Sequence, residues 1–465
     1  MKNHNFAVSP AGPAGKRQGF FLLLLLFLAL PFTGCDLRKN RANSSDRPVF
    51  QANWKQAELI ERVQGKIHFH SLAVDSRGNA IALWERDEIF GQDGLWSSQY
   101  TPDGSWSPPE SVETVFGRAN APSLASDSKG NAIAIWEQKD GYTNGIWSNF
   151  YTPENGWGLS EQAELSPANA FEPQVEFLSD GLAMAVWAQH KGQRIGIWAN
   201  TYTPNKGWGR PRQIDAPPGD AGNVQLAVGG KGSAVAVWEQ GESVKGNAIF
   251  ANYYTPGKAW GRAEQISNGL EEAIKPRVAM DGKGNATVVW EQTVEGEETV
   301  WANRFAVGEG WGRPVVIEEA EHEGYAPEIA MDDAGNAIAV WTREIDEREL
   351  VWAALFLIGQ GWQNPQRIQT VDAEYAYLPN VAFNRNGDAV ATWYQIDVVH
   401  NNVWISRYSR DKGWKKAERI ENRTSVAYGP LVSADPTGGF IVFWKMIDGV
   451  NPANSIHSFW ARRLR

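Results

Sequence analysis

The chain reads as an all-β protein, an eight-bladed β-propeller of four-stranded blades of about 51 residues each. Three observations lead there. An Ala/Ile/Val-rich run closing on tryptophan recurs at Trp84, Trp136, Trp187, Trp238, Trp290, Trp341, Trp393 and Trp444, in steps of 51 or 52 residues. Helical periodicity is absent, and short β-branched and aromatic runs alternate with Gly, Asn, Asp and Pro. The last observation lies at the two ends of the array. Trp54–Ile60 (WKQAELI) matches the fourth strand at Trp414–Ile420 (WKKAERI) but has no first three strands before it, while the eighth copy finishes on a third strand at Phe459–Arg465. Strand 54–60 is therefore expected to complete the last blade and close the ring, leaving no blade with an open edge.

The second copy shows how each element follows. Ser123–Ser126 is a short strand, and Asp127–Asn131 is a tight turn with Gly130 where a left-handed backbone is wanted. Ala132–Gln138 is the second strand, Gly145–Tyr151 the third and Trp157–Leu165 the fourth, separated by a polar loop and a Thr152–Gly156 turn. The second strand is apolar on both faces, with Ile133 and Ile135 on one side and Ala134 and Trp136 on the other. A strand of that kind lies between two sheets. The third strands carry Trp96, Trp147, Trp198, Trp301, Trp352, Trp404 and Trp460, with Phe250 in the fourth copy. The fourth strands begin with Trp106, Trp157, Trp208, Trp260, Trp311, Trp362 and Trp414.

Ahead of the array, Lys16-Arg17 precede the apolar run Phe20–Phe32 (FFLLLLLFLALPF). That run is short for a span of about 20 residues and is laid out like a secretory signal. Residues 1–34 are read as a signal peptide and 35–53 as a polar, flexible tether. Phe32-Thr33-Gly34-Cys35 resembles a bacterial lipobox. The resemblance implies cleavage before Cys35, lipidation of its sulfur and a bacterial cell-envelope location, with membrane contact through the lipid anchor alone. An ordinary cleaved signal and an uncleaved anchor are the competing readings. Cys35 is the only cysteine, so no internal disulfide is possible. Loss of Lys2, Lys16 and Arg17 leaves 41 basic against 54 acidic residues, a net charge of −13. Such acidity argues against a nucleic-acid partner, and the propeller is expected to be monomeric.

Binding is expected where the copies differ, on the face carrying the second-to-third and fourth-to-first loops. His68, Phe171, Tyr325, Tyr377 and Tyr428 should stand at the mouth of the axial channel. Arg86, Gln138, Gln189, Gln240, Gln292, Arg343 and Gln395, two residues after each tryptophan, end their strands on the same face. Together they suit stacking and hydrogen bonding to a sugar or a peptide. They equally suit packing against neighbouring blades and tying down loop carbonyls. Glu176 interrupts a ring otherwise made of Ala73, Ala125, Ala227, Ala279, Ala330, Ala382 and Ser433, which makes it a candidate channel-facing carboxylate.

No catalytic, metal or cofactor signature stands out. His68 and His70 share a strand face without a third ligand nearby. The Asp75, Asp127, Asp281 and Asp332 turns offer one or two oxygens each, too few for a calcium loop. Glu85, Glu137, Glu239 and Glu291 follow their tryptophans as a repeat feature, unlike the convergent pair a glycosidase needs.

The pattern Asp-x-x-Gly-Asn-Ala-x-x-x-x-Trp-Glu-Gln, then Ile-Trp-x-x-x-Tyr-Thr-Pro, then Gly-Trp-Gly resembles a Trp-rich repeat of uncharacterised bacterial secreted proteins and lipoproteins. It covers residues 54–465 and implies no activity. The turn around Asp127 partly resembles that of sialidases, and the plan of anchor, tether and eight blades is similar to an outer-membrane assembly lipoprotein. Fucose-binding fungal lectins are similar in tryptophan content. The sequence therefore predicts a lipid-anchored, non-catalytic binding or scaffolding module for an envelope protein or peptide. A lectin-like carbohydrate-binding propeller is the alternative, with a glycan-cleaving enzyme behind it.

Overall fold

The computed structural model describes residues 55–464 except 65, 88–92, 140, 142, 180, 243–245, 270, 319–322, 370–374, 397–400, 422–424, 436 and 449–455. The expected signal peptide and tether, Cys35 and Trp54 lie outside the described residues. Among the described residues there is no α-helix, and so none long and apolar enough to cross a membrane.

The chain forms antiparallel sheets one after another. In the second copy Arg118–Ser126, Ala132–Lys139 and Asn144–Thr152 pair in sequence order. The fourth strand expected at 157–165 is instead two short rungs, Gly156–Trp157 and Glu161–Gln162, laid on the third strand. The register explains the break. Trp157 lies opposite Tyr151 and Gln162 opposite Trp147, so five steps on the outer strand meet four on its neighbour. The extra residue forms a bulge. The same order recurs along the array, and the sheets of the sixth and seventh copies are joined by a parallel bridge between Glu349 and Tyr375.

The last sheet takes its outer strand from the other end of the array. Glu58–Gln64 pairs antiparallel with Ile456–Leu464, with Leu59 opposite Trp460, and the Lys55 amide donates to the Arg463 carbonyl at 3.0 Å. The strand expected at 54–60 is thus found at 58–64, kinked by a bulge between Leu59 and Glu61.

The core sits between sheets. All eight second-strand tryptophans are fully buried, and those of the second to seventh copies pack on the preceding copy. Trp187 lies against Ile133, Ile135 and Ile146, and Trp238 against Val186 and Ile197. Trp84 of the first copy packs with Phe443 and Phe459 of the last. Asparagines of the third strands add polar ties between copies. Asn149, Asn200 and Asn252 donate to the carbonyls of Val112, Ala163 and Ile214 at 2.7–2.8 Å. First strands lie side by side in succession, and Val426–Ala434 also packs on Ile67–Val74.

Each first strand from the second copy on is bulged by a residue in the left-handed region. Glu172, Lys275 and Ala326 have φ of 53°, 53° and 51°. Non-glycine residues resist that conformation, and a carboxylate from the previous copy helps hold it. Glu137, Glu239 and Glu291 accept the amides of Glu172, Lys275 and Ala326 at 2.9, 2.7 and 2.6 Å. The Glu after each of these tryptophans is therefore a tie to the next copy.

Replacing Trp187 by Ala should cost about 3–5 kcal/mol, because the indole fills space that neighbouring sheets cannot close. Gln189→Ala, which strands the indole N–H, should cost less, about 1–3 kcal/mol. Urea denaturation midpoints measure both, and a greater loss for Gln189→Ala would contradict this view of the core.

Candidate functional site

The glutamines two residues after the tryptophans face inward. Gln138, Gln189, Gln240 and Gln292 accept the indole N–H of Trp136, Trp187, Trp238 and Trp290 at 2.7–3.1 Å, and Gln395 accepts that of Trp393 at 3.3 Å. Two of the amide nitrogens turn to loops, Gln240 donating to Pro218 O at 2.6 Å and Gln292 to Asn268 Oδ1 at 2.7 Å, while that of Gln138 is buried without a hydrogen bond. Arg343 is fully buried, 3.3 Å from Glu318 and 4.4 Å over the Trp352 ring. Glu318 in turn accepts the Trp341 indole at 2.8 Å, taking over the task of the missing glutamine. Arg86 pairs with Glu61 at 2.5 Å and stacks 3.5 Å over Trp96. These buried amides and guanidiniums are turned inward and hold the scaffold.

The Asp turns are likewise held by their own residues, with Asp127 also accepting the Gly181 amide at 2.8 Å and Asp332 pairing with Arg410 at 2.9 Å. Asp75 Oδ1 accepts the amides of Arg77 and Asn79 at 2.8 and 2.9 Å, and its Oδ2 accepts the Asn79 side chain at 2.7 Å. Asp127, Asp281 and Asp332 repeat the arrangement.

The first-strand aromatics divide. Phe171 stands edge-on to His190 at 5.6 Å, and His68 Nε2 lies 2.8 Å from Asp87, each within its own copy. Tyr325, Tyr377 and Tyr428 instead meet in one cluster spanning the sixth to eighth copies. Tyr377 stacks on Tyr375 at 6.2 Å and leans on Tyr394 at 5.4 Å, and Tyr394 meets Tyr428 edge-on at 5.7 Å. The Tyr325 hydroxyl donates to Glu349 Oε1. The other Glu349 oxygen is buried without a well-formed hydrogen bond, beside the Tyr377 phenol. Lys445 sits 5.9 Å from the Tyr428 ring and donates to Ile67 O at 3.0 Å. Tyr375 and Leu378 are exposed at the edge of the cluster.

Tyr375, Tyr394, Glu349 and Lys445 are the members that sequence reasoning missed. For two of them the signal was present: Tyr394 and Lys445 occupy the position held by Glu85, Glu137, Glu239 and Glu291 in other copies. Tyr375 and Glu349 come together through the bridge between two sheets, which no sequence pattern announces. Burial raises the pKa values of Tyr377, Tyr394 and Tyr428, with the Glu349 carboxylate adding to the effect on Tyr377 and Tyr394. These phenols stay neutral donors. Burial also lowers the Lys445 pKa.

Glu176 stands apart on the first strand of the third copy, half-buried opposite Met184. Burial pushes its carboxyl up to about 7. A raised folded-state pKa means that the native protein binds the proton more tightly than the unfolded chain. The associated stability is complete below about pH 4.5 and is lost as pH rises through about 7. The Tm of the wild type should therefore fall relative to that of Glu176→Gln between pH 4.5 and 8. A constant Tm difference across that range would contradict the shift.

No protein-family model and no curated protein matches the chain. Solved structures share its fold. An ulvan lyase of polysaccharide lyase family PL25, bound to a GlcA(1-4)Rha3S segment, aligns at 10% identity over 86% of this chain and 95% of that one, with TM-score 0.50. The BP39L lectin from Burkholderia pseudomallei aligns at 12% identity over 75% of this chain and 98% of that one, also with TM-score 0.50. A leech intramolecular trans-sialidase aligns at 10% identity over 82% of each chain, with TM-score 0.39. The first two likenesses support an all-β, propeller-like fold of successive four-stranded sheets, shared with a polysaccharide lyase and a lectin. The expectation of a module without catalysis does not stand against the lyase and is withdrawn.

Proposed function

We propose that this protein is glycan-active and holds a saccharide at the tyrosine cluster, on a closed ring of eight blades. The observation that carries the reading is the meeting of Tyr375, Tyr377, Tyr394 and Tyr428 with Glu349 and Lys445 where the copies stop repeating. Phenol rings offer flat faces to the C–H side of a pyranose, and neutral hydroxyls beside a carboxylate can bind its hydroxyls. A lectin and a polysaccharide lyase among the structures of this fold support the reading. A protein or peptide scaffold has no such support and gives way to it. Ring closure is supported by the packing of Val426–Ala434 on Ile67–Val74 and by the pairing of Glu58–Gln64 with Ile456–Leu464. We also propose anchoring through a lipid on Cys35, for which Phe-Thr-Gly-Cys after the apolar run speaks. Membership of the Trp-rich repeat group of bacterial envelope proteins belongs to the same proposal.

A glycan array probed with the full chain tests the central reading, followed by titration of Tyr375→Ala. Tyr375 is exposed, so its loss should leave Tm unchanged while weakening binding about tenfold, in line with loss of one aromatic–sugar contact of about 1.4 kcal/mol. Absence of binding to any glycan at high micromolar concentration, or wild-type affinity in Tyr375→Ala, would overturn it. Mass analysis of the mature N-terminus tests the anchor separately: Cys35→Ser should remove the added diacylglycerol mass, and a wild-type chain without that mass refutes it.

A further inference from the structure

The junction between the first and last copies is tied differently from the others. Elsewhere a glutamate after the tryptophan accepts an amide of the next copy, as Glu137, Glu239 and Glu291 do. After Trp444 stands Lys445, which donates to Ile67 O at 3.0 Å. The N–H of the same Ile67 donates to His457 Nδ1 at 3.2 Å. One residue of the first copy is thus held at both its N–H and its C=O by the last copy. Three residues on, His70 stands where six of the other first strands carry Pro and one carries Val224. Its Nε2 donates to Gly429 O of the last copy at 2.7 Å, and its ring meets Phe443 and Phe459 edge-on at 5.4 Å. Apart from His190, every described histidine, namely His68, His70 and His457, lies at this junction.

Both ties use an uncharged imidazole. His457 Nδ1 accepts the Ile67 amide only while it carries no proton. Neutral His70 spends its N–H on Gly429 O, and a second proton would charge a ring packed against two phenyls. The neighbouring groups oppose that charge. Lys445, His68 and Lys66 surround His457, against Asp87, which lies 2.8 Å from His68 Nε2. Lys445 also faces His70. Tyr428 adds a neutral phenol beside Lys445. On the flanking strands Glu61 is paired with Arg86 and Arg62 with Asp448. Burial, reinforced by Lys445, lowers both imidazoles from 6.5 to about 4.

Resting on the reading of the array as a closed ring, we infer that this junction is an acid-released clasp: neutral His70 and His457 hold the last copy to the first, and protonating them opens that joint before any other. A closed-state pKa below the ordinary value means that the open joint binds the proton more tightly. The clasp is therefore at full strength above about pH 6.5 and is lost as pH falls toward 4. At pH 5 each histidine shifts the balance toward the open joint by about tenfold or more.

Hydrogen exchange of the full chain, corrected for the intrinsic effect of pH on amides, tests the clasp. Between about pH 7.5 and 5, Glu58–Gln64, Ile67–Val74 and Ile456–Leu464 should lose at least about tenfold in protection, while Leu182–Lys191 of the third copy keeps its own. His70→Gln and His457→Gln put in place of a titrating ring an amide that can still donate or accept. The loss is read within each variant as the ratio between the two pH values, so a lower stability at the higher pH does not mask it. Each variant should shrink that ratio. An equal loss in Leu182–Lys191, or a ratio unchanged in both variants, overturns the clasp. Unprotected exchange of Glu58–Gln64 in the wild type already at the higher pH overturns the closed ring on which it rests.

Discussion

The structure depends on one constraint: a tryptophan must be buried between each pair of neighbouring sheets, and its N–H must find an acceptor. Burying an indole is strongly favourable, but a stranded N–H offsets part of the gain. In five copies the glutamine two residues on meets that need from the same strand. Where the sixth copy has Arg343 instead, Glu318 from the preceding sheet accepts the indole and faces the guanidinium. Trp84 and Trp444, followed at that spacing by Arg86 and Met446, have buried indole nitrogens with no partner. Both flank the junction where the ends of the array meet, and there Phe443, Phe459 and His70 crowd together at 4.7–5.4 Å. Apolar and aromatic packing carries that junction where the polar tie is missing.

This constraint explains why so much of the repeat is unavailable for binding. The amides and guanidiniums after the tryptophans look like candidate ligand groups in sequence, and the glutamates and Asp turns recur with the same regularity. Most are consumed within the array: by an indole, by a left-handed amide in the next copy, or by the turn and its neighbours. Periodic polar residues in a stacked array answer periodic backbone needs. A site must come from residues released from that duty, as when Tyr394 and Lys445 replace the tying glutamate.

The fold was largely legible because the period, the apolar second strand and the matched end segments each reflect packing. Strand boundaries were less so. The shift from 54–60 to 58–64 and the split outer strands follow from single-residue bulges, which cost little and leave no compositional mark. Of the candidate site, Tyr325, Tyr377 and Tyr428 were readable as aromatics recurring at one position in several copies. Glu349 and Tyr375 were not, since only the bridge between two sheets places them together. Gln138 and its counterparts looked alike for either role, and burial decided between them.

The most direct test of the account is a crystal structure with a bound oligosaccharide. The expected result is a sugar ring against Tyr375 and Tyr377, and the repeated grooves between sheets empty. Sugar in those grooves, or beside Glu176, would contradict the claim that function resides where the copies differ.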